Sequence, residues 1–199
     1  MDDPDHPPSQ SLSIDSAHHS HSAGKLTLWV TYSFASDWLN DAKAEAAGTP
    51  SAASRRREIL FAVCFAESYL YEWVRDRVLE RDFARLAGFF PTGDRRGIRD
   101  RWKEVTKELE AQGLIPRAPD LSGSTWQDFR RLVDYRDGLV HALASRPESA
   151  ALPAEKQPIP TRTTLEAIPR GWATATVQRL VQELHQAAGT KPPDWVSLA

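Results

Sequence analysis

The sequence has little of the material from which several classes of protein are built. Cys64 is its one cysteine, which excludes an internal disulfide framework and a metal site built from cysteine thiolates. The formal net charge is −2, so the chain lacks the positive excess of proteins that coat nucleic acids through bulk charge. A local basic cleft remains compatible with this net charge. Cys64 falls on an apolar helical face and is predicted to be a buried core thiol.

Long apolar runs are also missing. None approaches the roughly 20 residues that a membrane span requires, and the first residues are acidic and polar, unlike a signal peptide. We therefore expect a cytoplasmic protein without membrane contact. Apolar residues make up 41% and charged residues 26% of the 199 positions, which predicts one globular domain with a real core.

The start of the chain is rich in Asp, Ser, Pro and His. Residues 1–24 are accordingly predicted to be a disordered polar tail. His18, His19 and His21 have no matching acidic or cysteine partner, so we favour a polar tail over a metal site.

The remaining chain has apolar residues at three- and four-residue steps, the periodicity of a buried helical face. We predict an all-α fold, a four- to five-helix up-and-down bundle, because most connections are short. The helical domain covers 25–190, with a Pro-rich loop at 146–170 and a C-terminal tail at 191–199. The predicted helices span residues 26–46, 52–87, 95–112, 124–145 and 171–188.

Several residues at the helix ends support these boundaries. Ser51 or Ser54 is expected to cap the second helix, Gly113 to end the third, and Ser124 to cap the fourth. The seven tryptophans are assigned to the core and to interfaces, with Trp195 packing back from the tail. His185 is predicted to be a surface residue.

The predicted fourth helix carries a charge inside its apolar face. On a helical projection at about 100° per residue, Arg136 falls within the buried arc that contains Phe129 and Val140. Asp137 and His141 fall together on one edge of that arc. They are four residues apart, close enough to form a hydrogen bond.

Glu67 interrupts the apolar face of the second helix in the same manner. A buried arginine without a partner costs several kcal/mol, so we predict that Glu67 and Arg136 lie close together. Two interpretations are open: the pair lines a functional cleft, or it is a buried ion pair that only fixes the helix register.

Arg136, Asp137 and His141 supply the groups needed to cleave RNA without a metal ion. A histidine can act as general base on the ribose 2′-hydroxyl, and a neighbouring carboxylate can orient it. The forked guanidinium suits a phosphate and stabilises charge on the phosphorane. Because Arg and His at this spacing also occur by chance, a plain helical structural or interaction domain is one alternative.

The run Arg136-Asp137-Gly138-Leu139-Val140-His141 resembles the R-x4-6-H motif of the HEPN superfamily. The flanking residues 132–135 and Ala142 agree with the usual surroundings of that motif. Glu67-Ser68-Tyr69 resembles the acidic segment that many members carry on an earlier long helix. The resemblance covers roughly residues 26–145.

The resemblance implies an all-helical bundle that forms a homodimer, in which the motifs of two protomers meet in a cleft at the interface. It also implies a metal-independent endoribonuclease without a cofactor, of the kind found in toxin–antitoxin and phage-defence systems, where an antitoxin protein would be a partner. By position, Arg136 would contact phosphate, His141 would be the catalytic base or acid, and Asp137 would support it. Glu67 would shape the cleft.

Position 137 departs from the commonest form of the motif, which has Asn there. A carboxylate beside a phosphate site is unfavourable, which bears on catalytic efficiency. Some members of the superfamily have lost activity and act as binding or scaffolding domains. The alternative function is therefore a catalytically inactive HEPN domain, a dimeric module that binds a protein or a nucleotide.

Arginines crowd the start of two predicted helices. Arg55, Arg56 and Arg57 open the second helix, and the start of the third is crowded with Arg95, Arg96, Arg99 and Arg101. Arginine gains nothing from the macrodipole at a helix N-terminus, so contact with RNA phosphates is one interpretation. A solvated face balanced by nearby carboxylates is the other.

Overall fold

The computed structural model describes residues 17–22, 25–30, 33–79, 88–91, 93–141 and 162–197. For the two strands, for residues 78 and 79, and for His141 and Arg162, it describes the backbone alone. The chain divides into two compact units, Met1–Ser33 and Phe34–Ala199.

The first unit contains a β-hairpin. Strand β1, Ala17–Ser22, pairs antiparallel with strand β2, Lys25–Val30, in a register that sets Ser22 opposite Lys25. Two expectations were wrong here, because the predicted disordered tail contains β1 and the predicted start of the first helix contains β2. The alternation of polar and apolar residues in β2, with β-branched Thr27 and Val30, is a strand signal that prevails over the helical spacing.

All regular secondary structure among the described residues of the second unit is helical, which agrees with the all-α prediction for this part of the chain. Its elements are α1 (Phe34–Ala47), α2 (Ala52–Leu79), α3 (Ile98–Ala111), α4 (Ser124–His141), α5 (Arg162–Ala167), α6 (Trp172–Ala188) and a 3-10 turn at Asp194–Val196. In the part of the chain that the structure describes, no helix combines the length and the apolar character that a membrane crossing requires.

Helix α2 lies at the centre of this unit and packs against α1, α4, α5 and α6. The core takes one face from each helix, as their periodicity predicts. Its largest fully buried apolar side chains are Trp102, Phe65, Phe89, Phe129, Leu39, Ile59, Leu70, Leu109, Leu132, Leu180 and Leu184.

The structure confirms two of the predicted helix-end signals, at the start of α2 and at the end of α3. Ser51 caps α2 reciprocally with Ser54: the hydroxyl of each accepts a hydrogen bond from the backbone N–H of the other, at 3.0 and 2.9 Å. Gly113 adopts φ +66° after α3, and the N–H of Leu114 donates to the carbonyl of Leu109, which closes the helix as predicted. Helix α4 begins at Ser124, and the N–H of Gln127 donates to the carbonyl of Gly123, so Gly123 holds the cap position that was predicted for Ser124.

The region predicted to be a Pro-rich loop contains a helix near its end. Helix α5 packs against α2, and Leu165 and Ile168 are buried. Residues 142–161, which include the rest of that loop and the predicted end of the fourth helix, lie outside the described residues. The tail does pack back, as predicted: the Trp195 ring lies 5.9 Å from the ring of Tyr69.

Candidate functional site

Helix α3 is held against α2 and α4 by Trp102, whose side chain is fully buried. Its indole N–H donates to the backbone carbonyl of Ala66 on α2 at 3.2 Å. Its ring lies edge-on to Phe129 of α4, with 6.0 Å between centroids. Because Arg99 and Arg101 lie three residues and one residue before Trp102, this packing brings their guanidinium groups to the side chains of α4 and α2, respectively.

The apolar face of α4 is buried at its start and opens toward its C-terminal end. Phe129 and Val133 are buried, whereas Val140 is 46% exposed. Arg136 lies at the boundary, with a side chain that is 26% exposed. Its Nε atom is nevertheless shielded from solvent and has no hydrogen-bond partner among the described residues. A buried donor without an acceptor is costly, so the ion pair with Asp137 leaves part of the hydrogen-bonding capacity of Arg136 unused.

Asp137 is shared between two arginines. Its Oδ1 lies 3.2 Å from Nη1 of Arg136, and its Oδ2 lies 3.9 Å from Nη2 of Arg99. The same Nη2 donates a hydrogen bond of 2.6 Å to Asp134, three residues earlier on α4. Asp137 was identified from the sequence as a site residue, whereas Arg99 was recognised only as one of the arginines at the start of the third helix, and its pairing with α4 was not predicted. The excess of arginine at that helix start, where the macrodipole does not favour it, was the available signal.

Glu67 and Arg136, which were predicted to lie close together, do not form an ion pair with each other in the described residues. Glu67 accepts a hydrogen bond from Nη1 of Arg101 on α3, while Arg136 pairs with Asp137. The reason is geometric: the first turn of α3 brings Arg101 to Glu67, which is 47% exposed and does not need a buried partner. Glu67 and Arg136 do share a neighbourhood, since both charges act on the thiol of Cys64.

Cys64 itself is half-buried, less enclosed than the core position that was predicted. Burial raises the pKa of its thiol, and the charge of Glu67 raises it further, while the charge of Arg136 lowers it. The thiol is therefore held in its neutral form beside the open end of α4.

Asp94 organises the chain before α3. Its carboxylate accepts hydrogen bonds from the backbone N–H and the guanidinium of Arg96, each at 2.9 Å, and from Nε of Arg101 at 3.2 Å. These contacts hold the pKa of Asp94 well below its usual range. Arg96 also donates to Glu104 and to the carbonyl of Phe89. Arg96, predicted to contact RNA, is thus engaged within the protein.

The arginines that open α2 separate into different roles. Arg55 is buried and pairs with buried Glu58 at 3.2 Å, and its Nε donates to the carbonyl of Ile168. Glu58 in turn accepts hydrogen bonds from the backbone N–H and hydroxyl of Thr174, both 3.3 Å, at the start of α6. The predicted RNA contact of Arg55 is therefore wrong, because its guanidinium joins α2 to the segment before α6.

The other arginines of that prediction lie at the surface. Arg57 pairs with Glu45 of α1 at 2.5 Å. Arg56 and Arg95 are exposed and have no ion-pair partner within the described residues.

His185 is not the surface residue that was predicted. It is buried, with Nε2 2.6 Å from the hydroxyl oxygen of Tyr69 and Nδ1 2.8 Å from that of Thr190. Burial, with a smaller effect of the Arg77 charge, lowers the pKa of His185 to about 4. Its position four residues after buried Val181 was the signal that would have placed it on the inner face of α6.

His141 is the last residue of α4, five positions after Arg136. Its side chain lies outside the described residues, and so does the predicted hydrogen bond to Asp137. Comparisons with protein-family models, curated proteins and solved structures returned no match to this chain.

Proposed function

We propose that this chain is a HEPN-type endoribonuclease that cleaves RNA without a metal ion. Arg136 binds the scissile phosphate, His141 transfers the proton, Asp137 supports the histidine, and Glu67 with Arg101 forms one wall of the site. The observation that carries the proposal is the state of Arg136: a guanidinium at the open end of the α4 face, with a buried Nε that lacks an acceptor among the described residues.

The chemistry is a transesterification followed by release of the leaving group. His141 removes the proton of the ribose 2′-hydroxyl, and the 2′-oxygen attacks the adjacent phosphorus. The bond to the 5′-oxygen breaks and that oxygen takes the proton that His141 removed, which leaves a 2′,3′-cyclic phosphate, a 5′-hydroxyl and a neutral histidine. Arg136 stabilises the additional negative charge on the phosphorane.

The proposal includes a homodimer in which two such sites face a common cleft. Two exposed apolar side chains favour a protein partner: Val140, four residues after Arg136 on α4, is 46% exposed, and Tyr71, four residues after Glu67 on α2, is 43% exposed. The biological setting that we propose is a toxin–antitoxin or phage-defence system, with RNA as substrate and an antitoxin protein as regulatory partner in the cytoplasm.

One observation favours the second candidate, a catalytically inactive HEPN domain that binds a protein or a nucleotide as a dimer. The ion pairs around α3 and α4 involve four arginines and five carboxylates: Arg96, Arg99, Arg101, Arg136, Glu67, Asp94, Glu104, Asp134 and Asp137. This cluster is not basic, and Arg136 already pairs with Asp137. Both features weaken attraction of a polyanion.

An RNA-cleavage assay with the full chain in the presence of EDTA separates the two functions. We expect cleavage by the wild type and loss of it in His141→Ala and Arg136→Gln. Arg130→Gln serves as matched control, because Arg130 is an exposed arginine on the same helix. Equal cleavage by all four proteins, or cleavage by none of them, would contradict the nuclease.

A further inference from the structure

Arg99 reaches the candidate site from another helix and divides its charge between two carboxylates of α4. Asp134 and Asp137 are three residues apart and therefore share one side of that helix. Nη2 of Arg99 lies 2.6 Å from Asp134 and 3.9 Å from Asp137. The side chain of Arg99 is 29% exposed, so this is a partly shielded contact with limited screening by solvent.

Arg136 forms an ion pair with Asp137 at 3.2 Å. It must break this ion pair before its guanidinium can bind a phosphate in a bidentate manner. A released Asp137 would repel the incoming phosphate unless another cation neutralises it. Arg99 already faces the second carboxylate oxygen of Asp137, so a small shift of one side chain supplies that cation.

We propose that Arg99 is a positioning residue of this site, which holds the charge of Asp137 so that Arg136 can exchange its intramolecular carboxylate for a phosphodiester of RNA. This inference rests on the proposed nuclease function. It assigns to α3 a role in substrate binding, and it explains how a site with Asp at position 137 accommodates an anionic substrate.

The test is a double-mutant cycle on the full chain with a fluorescent 2′-O-methyl oligoribonucleotide, which the proposed chemistry cannot cleave. Arg99→Gln is expected to raise the Kd by roughly three- to fivefold, the upper part of the range for an exposed charge pair. Asp137→Asn removes the charge that Arg99 holds, so Arg99→Gln should have less than about a twofold effect in that background. Arg99→Lys should restore part of the affinity.

Two controls separate this role from others. Lys107→Gln removes one positive charge from an exposed position of the same helix, and Arg99→Gln must exceed its effect on the Kd. A purely structural role of Arg99 through Asp134 would persist in the Asp137→Asn background, because Asp134 is unchanged there. An undiminished effect in that background would overturn the proposal, as would an effect no larger than that of Lys107→Gln.

A measurement without RNA distinguishes failure of this inference from failure of the nuclease function. Phenylglyoxal modifies free guanidinium groups, and mass spectrometry reports the rate at Arg136. Arg99→Gln should slow modification of Arg136 roughly threefold, because Asp137 then pairs with Arg136 alone, and Asp137→Asn should abolish the difference. If Arg99→Gln slows the labelling of Arg136 as expected but the wild type does not bind RNA, the nuclease function is refuted and the role of Arg99 toward Asp137 is not. If cleavage depends on His141 but Arg99→Gln changes neither the labelling rate nor the Kd, the role of Arg99 is refuted and the nuclease function is not.

Discussion

The hydroxyl oxygen of Tyr69 lies 2.6 Å from Nε2 of His185, in an interior formed by α2 and α6. Trp73 lies edge-on to the imidazole, with 5.9 Å between ring centroids, and Thr190 bonds its other nitrogen. Both ring nitrogens therefore have hydrogen-bond partners, so a neutral histidine is buried here without leaving a polar atom unsatisfied. This contact ties the C-terminal helix to the central one.

Acidification is expected to destabilise the protein through His185. The folded pKa of about 4 lies below the ordinary value of 6.5, so the unfolded chain binds the proton first as the pH falls. The free energy of unfolding should decline between pH 6.5 and 4, by at most about 3 kcal/mol, and this contribution should change no further below pH 4. Urea unfolding of wild type and His185→Gln from pH 7 to 5, above the titration of most carboxylates, measures it. Identical pH slopes for the two proteins would refute this account.

Replacing Tyr69 by Phe removes the hydroxyl that bonds His185. The imidazole nitrogen would be left without a partner, so unfolding should become easier by about 1–2 kcal/mol. Tyr71→Phe is the matched control on the same helix, since that side chain is 43% exposed, and it should change stability by less than about 0.5 kcal/mol. Chemical denaturation of both variants gives the comparison, and equal effects would show that the contact does not stabilise the fold.

Removal of Arg55 tests its assignment as a structural residue. Arg55→Ala leaves the carboxylate of Glu58 buried without its cation, which should cost about 3 kcal/mol of unfolding free energy. Arg56→Ala, at the neighbouring exposed position, should cost less than about 0.5 kcal/mol. If Arg55→Ala is as stable as the wild type but binds RNA more weakly, Arg55 contributes to RNA binding and not to the stability of the fold.

Asp137→Asn should strengthen substrate binding and slow the chemical step of the proposed nuclease. The substitution removes a negative charge beside the phosphate-binding guanidinium, so KM should fall about three- to fivefold, and it removes the carboxylate that supports His141, so kcat should fall as well. Steady-state cleavage of a short RNA by the two proteins measures both constants. An unchanged or higher kcat would show that Asp137 does not support the histidine.

The sequence was most informative where a property depends on neighbouring residues in the chain. The end of α3 at Gly113 and the capping of α2 by Ser51 follow from local backbone chemistry, and both were predicted. The hairpin was missed because Leu26, Leu28 and Trp29 satisfy a short helical pattern and an alternating strand pattern equally well. Over six residues the two periods are hard to separate.

Partners that meet only through tertiary packing were predicted poorly. The odd charges of Glu67 and Arg136 were recognised as needing counter-ions, but those counter-ions turned out to be Arg101 and Asp137. An arginine side chain reaches across the gap between helices, so its partner depends on where Trp102 seats α3. His185 was misplaced for the same reason, since the hydroxyl of Tyr69 that makes its burial tolerable comes from a helix far away in the sequence.

The most direct test of the proposed function is the chemistry of the RNA ends. The full chain, incubated with RNA in EDTA, should release fragments that carry 2′,3′-cyclic phosphate and 5′-hydroxyl ends. A 2′-deoxy substitution at the cleaved position should prevent the cut, and His141→Ala should yield no fragments. Fragments with 3′-hydroxyl and 5′-phosphate ends, or equal cleavage of the 2′-deoxy substrate, would contradict the account.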